Sequence, residues 1–107
     1  MARLSIADSQ ATLAAAGSDF ARFLERPSCD VSLYKPVGVD SQKPHLRDEL
    51  YVIASGSGGF ICEARTDAFG PGDIFFVPAG TDHRFVSFSA DFSTWVIFLG
   101  PRLSKDP

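Results

Sequence analysis

The chain of 107 residues predicts an all-β domain, a sandwich or a barrel, behind a short helical segment. Three observations carry that prediction. Strand-length apolar runs recur from Val31 onward, glycine and proline signals separate them, and the one Ala-rich, helix-forming stretch sits near the N-terminus. Short strands at regular spacing are the pattern of sandwiches and barrels. A chain this short has room for one domain.

Taken in order, residues 1–30 form a helical lead-in expected to pack on the outside of the β body. Helix formers run from Asp8 to Glu25, with a break at Gly17-Ser18-Asp19. Ser18 or Asp19 is placed to N-cap a second piece, in which Phe20, Phe23 and Leu24 at i, i+3, i+4 make one apolar stripe. Pro27 ends it. Residues 31–100 form the β body. Val31 to Val37 is a short strand, where Pro36 argues for an edge or a bulge. Leu50 to Ala54 and Phe60 to Arg65 make a hairpin across Gly56-Ser57-Gly58-Gly59. Ile74 to Val77 is a continuous apolar strand stopped by Pro78 and Gly80. His83 to Ser89 and Phe92 to Leu99 make a final hairpin across Ala90-Asp91. Residues 101–107 read as a polar, mobile tail.

Composition removes several function classes. With 10 Lys+Arg against 13 Asp+Glu the net charge is −3, and no basic run offers a footprint for nucleic acid or an anionic membrane. No stretch approaches the roughly 20 apolar residues of a membrane helix. Residues Met1 to Ala16 lack the apolar core of a secretion signal, so the expected location is the cytoplasm. Cys29 and Cys62 do not form a C-x-x-C pair and read as free, buried thiols. No Ser or Cys stands in a nucleophile context with a histidine to spare, which sets a hydrolytic triad aside.

The residues that suggest chemistry are few. Both histidines fall beside structural punctuation: His45 in Pro44-His45-Leu46-Arg47-Asp48-Glu49, and His83 at the end of Gly72-x5-Pro78-x-Gly80-x2-His83. Two imidazoles and a carboxylate with open positions suit a divalent ion. On one extended strand His45 and Glu49 would stand about 13 Å apart, at ~3.3 Å per residue. Sharing an ion therefore requires the chain to turn over at Leu46-Arg47-Asp48, with Glu49 opening the next strand.

The segment Pro44 to Gly58 (PHLRDELYVIASGSG) resembles the first motif of the cupin superfamily, and Gly72 to His83 (GDIFFVPAGTDH) fits the second at every fixed position. With Asp40-x-Gln42-x-Pro44-His45, His83-Arg84-Phe85 and Trp95-Val96-Ile97-Phe98, the chain is similar to an uncharacterised group of small single-domain cupins. The resemblance covers residues 40–98. It implies an antiparallel jelly-roll barrel holding a divalent metal ion (Fe, Mn, Ni or Zn) at His45, Glu49 and His83. Two positions depart from the family pattern. Lys43 replaces the first histidine of H-x-H, and a protonated lysine cannot ligate. Ser87 replaces the asparagine that usually closes the second motif. Gln42 is then a candidate fourth ligand through its neutral oxygen, if Pro44 shifts the pleat, or else a supporting neighbour.

Tyr51 and Ile53 share strand parity with Glu49 and should face the pocket; Tyr51 reads as an aromatic wall, with proton donation as its catalytic alternative. Lys43 is the other candidate acid–base group. Phe85 shares the parity of His83 and should narrow the pocket. Asp48 and Arg47 read as residues of a solvated turn, Arg47 alternatively as a hold for an anionic substrate. Trp95 lies in a strand apolar on both faces, which points to a homodimer. The leading functional expectation is a metal-dependent oxygenase, isomerase or lyase acting on a small organic molecule. The alternative is a non-catalytic cupin that binds or senses one.

Overall fold

The computed structural model describes residues 1–101. Nearly all of the tail expected over residues 101–107 thus lies outside the described residues. One helix, α1 (Ile6–Ala16), is followed by eight strands: β1 (Phe20–Arg26), β2 (Cys29–Tyr34), β3 (Asp48–Ser55), β4 (Gly58–Cys62), β5 (Arg65–Phe69), β6 (Ile74–Val77), β7 (His83–Val86) and β8 (Ser93–Leu99). The chain is mostly β, and every strand pairing is antiparallel. One sheet has the order β1-β2-β8-β3-β6 and the other β5-β4-β7.

The helix forms where its ends are satisfied. Ser5 caps the N-terminus, its hydroxyl accepting from the Asp8 N–H, and Gly17 ends the helix at φ +62°. There the N–H groups of Gly17 and Ser18 donate to the carbonyls of Ala14 and Leu13, which a side chain at this φ would strain. The second helical piece expected from Phe20 to Leu24 is instead strand β1. It carries a bulge between Arg22 and Leu24, so Phe20 lies opposite Tyr34 and Leu24 opposite Val31. The extra residue breaks the two-residue alternation of a strand and leaves an apolar spacing that mimics a helix.

Both expected hairpins are also corrected. β3 and β4 lie in different sheets, as do β7 and β8. β4 turns at Glu63-Ala64 to pair with β5, a strand (RTDAF) too polar to stand out in the sequence. β3 pairs with β8 and β6, and β7 pairs with β4. The Gly56–Gly59 and Ser89–Asp91 segments are therefore crossings between sheets. They meet closely: a Cβ on Gly56, at φ +82°, would come within 2.5 Å of the Phe92 backbone. β2 is central, between β1 and β8, and Pro36 lies beyond its end, so no ladder bond is lost.

Register decides what faces the interior. Glu49, Tyr51 and Ile53 of β3 lie opposite Phe98, Val96 and Thr94 of β8, and all six are buried. From the other sheet Phe60, His83 and Phe85 face them, with Phe60 paired to Phe85 and Cys62 to His83. Cys29 and Cys62 are free, as expected, but half-buried rather than buried. No described helix is long and apolar enough to cross a membrane.

Candidate metal centre

The two segments that carry the histidines are tied together by backbone. After β6, Pro78 starts a tight turn in which Gly80 stands at φ +76°. The Gly80 N–H donates to the His45 carbonyl at 2.7 Å, and the Ala79 N–H donates to Asp48 Oδ1 at 2.8 Å. The chain bends at Leu46-Arg47, and Glu49 enters β3 beside His45, as the ligand-sharing argument requires. The ligand atoms of His45, Glu49 and His83 consequently all lie within 4.8 Å of one another.

Arg47 corrects the expectation of a solvated turn charge. It is 2% exposed. Its guanidinium donates to Asp30 Oδ2 at 2.6 Å and to the Gly100 carbonyl at 2.7 Å. It thereby fastens the bend to β2 and the end of β8, and lies over the Phe98 ring, whose other neighbour is the His45 imidazole at 5.0 Å. Arg47 lines neither of the hollows beside His45 and His83.

The donor chemistry fits a cation. His83 Nδ1 lies 2.8 Å from the Thr81 carbonyl, which can only accept, so Nδ1 carries the hydrogen. In the neutral ring Nε2 is then an acceptor, and it lies 2.8 Å from Glu49 Oε1. Both carboxylate oxygens are buried and lack a hydrogen bond of sound geometry. Two acceptors this close, in a site where Glu49 is 1% exposed, call for a metal ion or a proton between them. Without a metal, a proton on His83 is favoured. Burial works against the charged ring, but the Glu49 carboxylate, the Thr81 carbonyl and the Asp40 charge outweigh it and push the pKa up.

Gln42 sits in an irregular segment rather than on a pleat, and Asp40 orients it. Asp40, 5% exposed, accepts from Gln42 Nε2 at 2.7 Å, from the Gln42 N–H at 3.2 Å, from the Tyr34 hydroxyl at 2.7 Å and from the Phe85 N–H at 2.9 Å. Because a carboxylate takes the NH2 side of the amide, Oε1 turns toward the cluster. It lies 3.4 Å from His45 Nε2 and accepts from the Tyr51 hydroxyl at 2.9 Å. That hydroxyl also lies 2.9 Å from His83 Nε2. Burial, then the charges of Glu49 and Asp40, holds the Tyr51 pKa far above its ordinary value, so the group remains a donor. Lys43 is exposed and stays outside the cluster. Ser87 is exposed at φ +51°, just past β7. Asp40 is the residue whose role sequence reasoning missed. Its signal was the Asp-x-Gln spacing, which permits a carboxylate to accept from the N–H two residues on.

Beside His45 a chamber of about 230 Å³ opens, lined by Phe20, Tyr34, Val96 and Phe98 with Ser41 and Gln42. A second hollow, of about 500 Å³, opens beside His83 and is rimmed by Asp40, Glu63, Asp82 and Arg84.

Comparison with known proteins agrees with this architecture. An uncharacterised protein of Streptomyces coelicolor is 35% identical over 94 residues, covering 86% of this chain and 90% of that one. Among solved structures, a Ralstonia eutropha protein whose proposed activity is that of a mannose-6-phosphate isomerase superposes with a TM-score of 0.61. It is 25% identical, over 78% of this chain and 83% of its own. A cupin-2 protein of Shewanella frigidimarina superposes with a TM-score of 0.63 at 18% identity, over 78% and 79%. No family model matches the chain. The chain shares the fold of small cupin-2 proteins and is a relative of the Streptomyces coelicolor protein.

Proposed function

We propose that this cupin closes its two sheets as a jelly-roll barrel around a divalent metal ion held by His45, Glu49 and His83, with the Gln42 amide oxygen completing the set. On this reading it is a metal-dependent enzyme acting on a small organic molecule. The observation that carries the reading is the approach of His83 Nε2 to Glu49 Oε1 at 2.8 Å with the ring hydrogen committed to Thr81. A bound ion would supply Lewis acidity, or redox chemistry if it is iron. The chain's own part is then clear: Asp40 orients Gln42, Thr81 sets the tautomer of His83, and Tyr51 holds a proton between Gln42 and His83.

One observation favours the second reading, a non-catalytic binding or sensing cupin. The chamber beside His45 is lined by no titratable side chain apart from His45 itself and Tyr34, whose hydroxyl is committed to Asp40. Two further expectations stay part of the proposal: a cytoplasmic location and a homodimer. The dimer is supported by the outer face of the larger sheet, where Trp95, Ile97, Leu50 and Val52 run on to Ile74 and Phe76 at its edge, 62% and 54% exposed.

Elemental analysis of protein purified without chelators tests the site, alongside the His45→Ala variant. The expected result is a divalent metal near one equivalent in the parent, falling at least about ten-fold in the variant. Unchanged metal in His45→Ala would place the site elsewhere. Metal-dependent turnover or O2 uptake separates the enzyme from the binder.

A further inference from the structure

The walls of the chamber define the class of molecule this centre takes. We propose that the ligand is a small neutral molecule with one metal-binding head and an apolar, ring-sized body seated among Phe20, Tyr34, Val96 and Phe98. This rests on the metal reading above. The space of about 230 Å³ is continuous with His45 and Gln42 and holds little more than one ring with a short substituent. Phe98 meets the His45 ring edge-on at 5.0 Å, and Phe20 meets Tyr34 edge-on at 6.3 Å, so aromatic surface reaches as far as the His45 imidazole.

Apart from Ser41 and His45 itself, the polar side chains on the walls are already committed. The Tyr34 hydroxyl and Gln42 Nε2 both donate to Asp40, and Gln42 Oε1 accepts from Tyr51. Two arginines of this half of the sheet, Arg22 and Arg47, are committed too. Arg22 lies 3.1 Å from Glu25 and 3.9 Å from Asp30, and Arg47 is held by Asp30 behind Phe98. No lysine or arginine lines the chamber. The opening beside His83 carries Asp40, Glu63 and Asp82 against the single cation Arg84, which disfavours anions from that side as well. On the body of the ligand, away from the ion, a phosphate or a second carboxylate would be desolvated here without a partner.

The test uses zinc-loaded protein and two probes that share one chelating head, benzohydroxamic acid and acetohydroxamic acid, with glucose 6-phosphate as the anionic competitor. Calorimetric titration should show benzohydroxamic acid binding at least about ten-fold tighter than acetohydroxamic acid, because only the former buries a ring. Glucose 6-phosphate should bind more weakly than either. Phe20→Ala, a half-buried residue of an edge strand, should weaken benzohydroxamic acid about five-fold while leaving zinc content and acetohydroxamic acid affinity unchanged; its zinc content doubles as the check on folding. Equal affinity for the two hydroxamic acids, tighter binding of the sugar phosphate, or indifference to Phe20→Ala would overturn the chamber assignment with the metal centre intact. Failure to retain zinc, with no hydroxamate binding at all, would instead sink the metal reading and this inference with it.

Discussion

The space between the two sheets has ends of opposite character. Toward Gly56 and Phe92 it is filled by rings: Phe60, Phe69, Phe85 and Phe92 stack with centroids 4.8 to 5.5 Å apart. Toward Gly80 and Gly100 it holds Asp40, Glu49 and His83, all buried, with Gln42 and His45 half-buried beside them. Tyr51 belongs to both, its ring 4.8 Å from Phe85 and its hydroxyl among the polar groups. The aromatic end gains free energy on burial, whereas the polar end must offset the desolvation of a carboxylate. The difference teaches that one end supports folding and the other is retained at a cost to it, as binding sites are.

The comparison breaks most visibly at the aromatic end. Phe85→Ala should cost about 3–5 kcal/mol in urea unfolding, since Phe85 is 1% exposed and touches Tyr51, Phe60, Phe69 and Phe92. A loss under about 1 kcal/mol would mean that this end is not the core. Arg47→Met should come next, at about 3 kcal/mol, because it removes the 2.6 Å cationic partner of the buried Asp30 carboxylate. Metal content in that variant should fall as the 45–48 bend loosens.

At the polar end the expected signs differ. Glu49→Gln should abolish metal retention yet change the stability of the metal-free protein by no more than about 1 kcal/mol in either direction. The metal-free parent should also carry a pH signature. The His83 pKa is raised above its ordinary 6.5, so its stabilising contribution is complete below that value and is lost as pH rises through the folded-state pKa. Glu49→Gln should flatten that slope, readable from denaturation midpoints across pH 5–9 or from the imidazole resonances. Metal loading should run the other way, falling as pH drops, because the proton and the ion compete for Nε2. The mildest effect on metal binding is expected of Gly80→Ala. Nothing crowds the added Cβ, so only the φ of +76° is penalised, at about 1–2 kcal/mol, with a modest loss of metal affinity through His45.

The candidate site was more legible than the fold around it. His45, Glu49 and His83 could be grouped because the two short motifs that resemble those of cupins carry them, and their ligand atoms do lie within 4.8 Å of one another. Tyr51 and Ile53 could be turned inward by parity alone. Arg47 could not be read, because its charge is stabilised by Asp30, 17 positions earlier, and by a carbonyl 53 positions later. Asp40 escaped for a related reason: two of its four donors, Tyr34 and Phe85, come from β2 and β7.

The sequence by itself determined that this protein is β-rich, where most of its strands lie, where the helix must stop, and which three side chains suit an ion. Those follow from turn chemistry, side-chain alternation and donor type, all of which act over a few residues. Only the tertiary structure decided that neighbouring strands cross between sheets, that β1 is a bulged strand rather than a helix, and that Gln42 turns its oxygen toward the cluster. Pairing partners and desolvated charges depend on residues far apart in the chain, and no local pattern carries that information.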